Sequence, residues 1–171
     1  MTLVLEQAMN GVQLGVLLFL LAAGLTLVFG IMNFVNLAHG SLYMLGAYFA
    51  ATFIPWTGSF LVGAVLALLA VAAVGIALDL LIFRRLYQRD HLDQVLATFG
   101  LILFFNELVL MVWGPAGLSI PIPAWLTGQV TFIPGVPYPA YRLAVLAVGM
   151  GSAAFLYLLV AHTRTGMRIR A

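Results

Sequence analysis

Ser59-Phe-Leu-Val-Gly-Ala-Val-Leu-Ala-Leu-Leu-Ala-Val-Ala-Ala-Val-Gly-Ile-Ala-Leu-Asp-Leu-Leu-Ile-Phe83 is an apolar run interrupted by a single charge, Asp79, near its end. Hydrocarbon about 30 Å thick is crossed by roughly 20 apolar residues rising about 1.5 Å each, so this run predicts a membrane-spanning helix. Three more runs meet the same requirement: Val12 to Ile31, Val95 to Trp113 and Tyr141 to Ala161. Between the first two lies Met32 to Pro55, whose apolar part, Ser41 to Ile54, makes only about 21 Å of helix. It reaches across only if Asn33 to Gly40 also lies within the membrane. The expectation is an all-α, polytopic transmembrane helix bundle of about five segments, the second broken or re-entrant. Non-helical backbone at that depth must be covered by protein or a polar cavity.

Composition agrees with the runs. Of 171 residues, 64% are hydrophobic and 7% charged, with a mean hydropathy of +1.15. Soluble domains carry roughly a quarter charged residues, so water is not the solvent for most of this chain. The sequence has no cysteine and no lysine. That excludes disulfides, thiolate metal sites, a lysine Schiff base and a phosphate-binding loop with its lysine, so ATP chemistry is expected on another chain. A net charge of +2, with no basic stripe of interleaved aromatics, gives no indication of nucleic-acid binding. Only Glu6 among charged residues precedes the first run, which lacks the basic start of a cleaved signal peptide and reads as a retained helix.

Arginine sets the expected orientation. Arg84, Arg85 and Arg89 follow the third segment, and Arg164, Arg168 and Arg170 follow the fifth, so both places are expected in the cytoplasm. Gly114 to Pro139 carries no charge but holds Pro115, Pro121, Pro123, Pro134, Pro137 and Pro139 beside Trp113, Trp125, Tyr138 and Tyr141. It reads as an external, turn-rich stretch with room for short extended pieces, and counting back through five segments places the N-terminus outside as well. Arg142 then stands alone at the outer end of the fifth span, where it can snorkel to the interface. One domain, residues 1–171, is expected, in a membrane.

The most informative polar stretch is Asn33-Phe-Val-Asn-Leu-Ala-His-Gly-Ser41. Two amides, an imidazole and a hydroxyl at membrane depth mark either a substrate pathway or a hydrogen-bond network that pins a helix break. His39 has no second ligand at helical spacing, so no metal site is expected. Asn106 and Glu107 lie inside the fourth span, and a carboxylate there faces a partner or a cavity rather than lipid. Asp79 reads as an interfacial carboxylate at a helix end. Asp90, His91 and Asp93 sit in a short turn beside three arginines and read as a solvated, charge-balanced loop.

Gly24-Leu-Thr-Leu-Val-Phe-Gly30, Met32-Asn-Phe-Val-Asn-Leu-Ala-His-Gly40 and Tyr43-Met-Leu-Gly-Ala-Tyr48 together resemble the first part of LIV-type ABC permeases, the membrane subunits of branched-chain amino-acid importers. Leu92-Asp-Gln-Val-Leu-Ala-Thr-Phe-Gly-Leu101 through Asn106-Glu107 to Trp113-Gly114, and Arg164-Thr-Gly-Met-Arg-Ile-Arg-Ala171, are similar to the same family. The resemblance implies a permease without bound cofactor, partnered by a second membrane subunit, cytoplasmic ATPases and an extracytoplasmic substrate-binding protein. It places Asn33, Asn36, His39, Ser41, Asn106 and Glu107 along the substrate pathway and Arg164, Arg168 and Arg170 toward the ATPase. Family members are longer, so the match is to their N-terminal part. Other readings of the residues remain open at this point. They are a permease for urea, short amides or other amino acids, a secondary transporter with broken helices, and an intramembrane enzyme, for which no nucleophile and base stand at a catalytic spacing.

Overall fold

The computed structural model describes residues 2–32, 34–133 and 136–162. Six α-helices follow in chain order: α1 (Thr2–Met32), α2 (His39–Thr57), α3 (Phe60–Leu78), α4 (Arg84–Leu86), α5 (His91–Trp113) and α6 (Ala140–His162). A π-helical turn, Asp79–Phe83, joins α3 to α4, and two short strands, β1 (Gln129–Ile133) and β2 (Val136–Pro139), precede α6. The chain is an all-α membrane protein, as its apolar runs require. Four helical stretches are long and apolar enough to cross a bilayer: Leu3–Gly30, Phe60–Leu86, His91–Trp113 and Ala140–His162. The expected count of five is corrected on this criterion. Helix α2 has 19 residues, but His39, Ser41, Tyr43, Tyr48, Thr52, Trp56 and Thr57 dilute its apolarity. The expected break before it is present: Phe34, Val35 and Asn36 are non-helical, and Leu37 and Ala38 form a turn.

The fold divides into two compact units, one of the described residues up to Leu27 and from Ile122 onward, the other Val28–Pro121. In the second, α2 and α3 form an antiparallel hairpin. Gly58 closes α2 at φ 66°, a left-handed conformation that glycine adopts without strain, and its N–H donates to Ile54 O at 3.1 Å. The two helices touch where Gly63 lies against Ile54; a Cβ at Gly63 would come within 2.6 Å of the Ile54 Cα. Helix α5 runs parallel to α2. Its early residue Gln94 meets Val35, just before α2, and its last residue Trp113 donates through Nε1 to Thr52 Oγ1 at 2.8 Å and packs on Tyr48. Phe34, Leu45, Leu78, Phe83, Phe105 and Val109 form the buried core of this unit.

In the first unit α1 and α6 also run parallel. Arg142 at the start of α6 bonds Asn10 of α1, and two turns on, Gly149 lies against Val16 and Leu20. The proline-rich stretch supplies the expected extended pieces: β1 and β2 pair antiparallel, with Gln129 opposite Pro139 and Val130 opposite Tyr138.

A side chain at Gly63 must push α2 and α3 apart, and overpacking of this kind costs about 1–3 kcal/mol. Gly63→Val is expected to lower the thermal midpoint of the purified protein in detergent by several degrees. Gly75→Ala, where a Cβ meets nothing within 4 Å, should leave it unchanged or raise it. Equal midpoints for the two variants would show that the Gly63 contact does not hold the hairpin together.

Candidate functional site

The break between α1 and α2 leaves the half-buried Val35 N–H without a helical acceptor. That donor is satisfied by a side chain 59 residues away: Val35 N–H donates to Gln94 Oε1 at 3.2 Å. Gln94 is 2% exposed, and its Nε2 donates to the carbonyls of Leu86 at 3.3 Å and Arg89 at 3.1 Å. His91 Nδ1 stands 3.4 Å from the same Oε1. One amide thus ties the helix break to the end of α4 and to the turn that begins α5. Thr98, fully buried one turn further on, turns its hydroxyl back to Gln94 O at 2.8 Å.

Apolar packing fixes the same place. Phe34, 1% exposed, inserts its ring against Phe83 and edge-on against Tyr87, with centroids 5.2 Å away in both cases. Tyr87 in turn donates its hydroxyl to Asp79 Oδ1, and Arg84 Nε pairs with Asp79 Oδ2 at 3.2 Å. The π turn makes this geometry. With an extra residue in the ring, the Arg84 N–H reaches Asp79 O, five residues back, which sets both side chains on one face. Burial, together with the hydrogen bond to Asp79, pushes the Tyr87 phenol up to about 12.

Of the expected pathway residues, Asn36 is 5% exposed and its Oδ1 has no hydrogen-bond partner, Ser41 is buried in the first turn of α2, and His39 is half-buried beside it. The structure brings these three together at the break. Asn106 and Glu107 are exposed on α5, twelve and thirteen residues beyond Gln94 or about 18–20 Å along the axis, so they belong to the other end of that helix. Asn33, Arg164, Arg168 and Arg170 lie outside the described residues. Asp90, His91 and Asp93 are exposed on the turn and at the start of α5, consistent with a solvated loop. Sequence reasoning missed Gln94, Phe34 and the Tyr87–Asp79 link. The available signal was two polar residues, Gln94 and Thr98, one turn apart on one face in the first half of a largely apolar helix.

These features define a multi-pass membrane helix bundle whose buried polar groups gather at a helix break. Residues 7–171 match the family model described as branched-chain amino acid transport system / permease component, and the chain belongs to that family. It is 28% identical to the high-affinity branched-chain amino acid transport system permease protein LivH of Escherichia coli K12, over 98% of this chain and 58% of the relative. Identity is 27% to LivH of Salmonella typhimurium and 26% to the permease protein BraD of Pseudomonas aeruginosa, with the same coverage. The chain therefore spans 58% of the length of the curated relatives it matches. No solved structure matches it significantly.

Removing the buried Gln94 amide leaves the half-buried Val35 donor without its partner, a loss of about 1–3 kcal/mol. Gln94→Leu is expected to lower the thermal midpoint clearly. Thr98→Val, whose hydroxyl serves only its own helix, should cost less than about 1 kcal/mol. A smaller effect at Gln94 than at Thr98 would contradict the bridging role. Because the folded phenol of Tyr87 lies above its usual value near 10, its contribution is complete below pH 10 and is lost as pH rises toward about 12. Alkaline melting of Tyr87→Phe should lack that phase, and an unchanged profile would count against the Tyr87–Asp79 bond.

Proposed function

We propose that the chain is a membrane-spanning permease subunit of an ATP-driven ABC importer for branched-chain amino acids, in the inner membrane of a bacterium. The family match across residues 7–171 carries this reading, and the names of the LivH and BraD relatives support the cargo. As a permease component it leaves ATP hydrolysis to separate cytoplasmic ATPases, and residues 1–171 hold no lysine with which to build a phosphate-binding loop. A second permease subunit completes the membrane part, and an extracytoplasmic binding protein delivers the amino acid. Asn36, His39 and Ser41, with Asn33, border the route at the helix break, and Asn106 and Glu107 border it nearer the opposite face. Transporters commonly place such polar groups at broken helices, and here the break lies at the arginine-loop end of α5. Arg164, Arg168 and Arg170 face the ATPase side, and residues 1–171 act as one permease domain.

The N-terminus and the Gly114–Pro139 stretch face outward, with Arg84 to Asp93 and the residues after His162 in the cytoplasm. The arginine distribution favours this, and so does the parity of the helices. Because α1 and α6 run parallel, an odd number of crossings must separate them. Helices α3 and α5 provide two. Helix α2, which runs beside α5 from the Gln94 end to the Trp113 end, provides the third.

Deleting the encoding gene should reduce ATP-dependent uptake of leucine, isoleucine and valine at least tenfold, and complementation with His39→Leu or Asn36→Leu should restore subunit levels but not uptake. Normal uptake with either variant would remove the break from the pathway, and loss of urea or amide uptake in place of the amino acids would reassign the cargo. For topology, single cysteines at Gln88 and Thr127 should react with an impermeant maleimide from opposite sides. Labelling of both from outside would refute the orientation.

A further inference from the structure

Six of the seven arginines fall in the two clusters assigned to the cytoplasm; Arg142, in the first turn of α6, is the exception. It lines a cavity of about 260 Å³ with Asn10, Gln13, Leu14, Leu17 and Tyr141. Its guanidinium donates through Nη1 to Asn10 Oδ1 and through Nε to the Tyr141 hydroxyl at 3.0 Å. The rings of Tyr138 and Tyr141 lie 6.0 and 5.8 Å from the guanidinium carbon. These contacts orient the fork without neutralising it. Among the described residues Arg142 makes no salt bridge. Glu6, the only acid in this unit's sequence, lies a full turn before Asn10 on α1, nearer the helix start. Tyr138 is 3% exposed, and its hydroxyl has no hydrogen-bond partner. A cation with no salt bridge among the described residues, two amides in the same lining and a buried phenol nearby form an incomplete anion site.

The lining is polar at one end and apolar at the other. Asn10, Gln13, Leu14 and Leu17 share one face of α1, and from Asn10 to Leu17 the helix descends about 10 Å from the membrane surface. Leu14 is 58% exposed, and none of the apolar window within Leu3–Gly30 is buried. We propose that this cavity is a binding site for an anionic phospholipid, with the headgroup phosphate on the Arg142 fork and Gln13, and the first methylenes of an acyl chain over Leu14 and Leu17. A planar guanidinium matches two phosphate oxygens at once, which a lysine would not. A free phosphate or an amino-acid carboxylate satisfies the same donors and leaves the leucines uncovered, so the apolar floor favours the lipid. The site lies in the α1–α6 unit alone and is independent of the transported cargo.

The test uses the full chain, purified in detergent and titrated with phosphatidylglycerol while bound lipid is counted by native mass spectrometry. Wild type should bind phosphatidylglycerol, and Arg142→Gln should weaken it at least tenfold. Arg142→Lys should fall between the two. Gln13→Leu leaves the Arg142–Asn10 bond in place and keeps the fold testable if the arginine variants are unstable; it should weaken binding severalfold with unchanged helical circular dichroism. Competition distinguishes the sources. Millimolar inorganic phosphate or leucine that displaced the lipid completely would make this a site for a free anion. Equal binding of diacylglycerol, which lacks the phosphate, or full lipid binding by both Arg142→Gln and Gln13→Leu, would overturn the proposal.

Discussion

A backbone N–H that leaves its helix inside a membrane protein must find an acceptor, because the bilayer supplies no water to take its place. At Val35 that acceptor is Gln94 Oε1, and much of the Val28–Pro121 unit is arranged around this one bond. The Gln94 amide uses its oxygen for the break and its nitrogen for the last carbonyls of the α3–α4 arm, so a single side chain holds three pieces of chain in register. Such a group is worth more than its net hydrogen bonds suggest, since removing it leaves a half-buried donor without a partner. Phe34 adds the apolar half of the joint by filling the space between Phe83 and Tyr87.

The joint connects surface to depth. Arg84 and Tyr87, on the loop side, both hold Asp79, and Tyr87 also holds Phe34, which belongs to the break. The arginine loop and the helix break therefore share side chains, and neither can shift far without opening a contact of the other. A stiff connection of this kind between the arginine loop and the polar break would carry a rigid-body displacement rather than absorb it. The far end of the same assembly is pinned separately, by Trp113 on Thr52 and Tyr48. Asn106 and Glu107 lie between the two pins on the exposed surface of α5, where a carboxylate within the bilayer requires cover from elsewhere.

The four long apolar runs and the break before His39 were legible because both depend on composition along the chain: uninterrupted apolarity makes a span, and a cluster of Asn, His, Gly and Ser interrupts one. The partners of the break were not legible. Gln94 stands near the start of an apolar helix among Asp90, His91 and Asp93, where a polar residue reads as part of the solvated turn, and its tie to Val35 crosses 59 residues of sequence. The π turn was equally hidden, since Asp79-Leu-Leu-Ile-Phe83 continues the helical pattern and only the Tyr87 and Arg84 contacts reveal the change of pitch. Asn36, His39 and Ser41 are neighbours in the sequence and so lie together at the break, whereas Asn106 and Glu107 stand twelve and thirteen residues beyond Gln94 on α5, a separation along the helix that the sequence pattern alone does not relate to the break.

Helix α2 shows why apolarity and crossing are separate questions. Hydropathy measures what a helix loses on facing lipid, and a helix covered by protein faces little of it. Ser41, Leu45 and Ile54 of α2 are buried, Ile54 against Gly63 of α3, and Tyr48, Phe49 and Thr52 lie beside Trp113 of α5. Its polar groups are also partly satisfied at home: Thr52 and Thr57 return their hydroxyls to backbone carbonyls one turn back. Nineteen residues make about 28 Å of helix, close to the hydrocarbon thickness, and the proposed crossing requires no more. The modest apolarity of α2 is what a segment sheltered by α3 and α5 can tolerate, and the parallel course of α1 and α6 supplies the reason to place it across the bilayer.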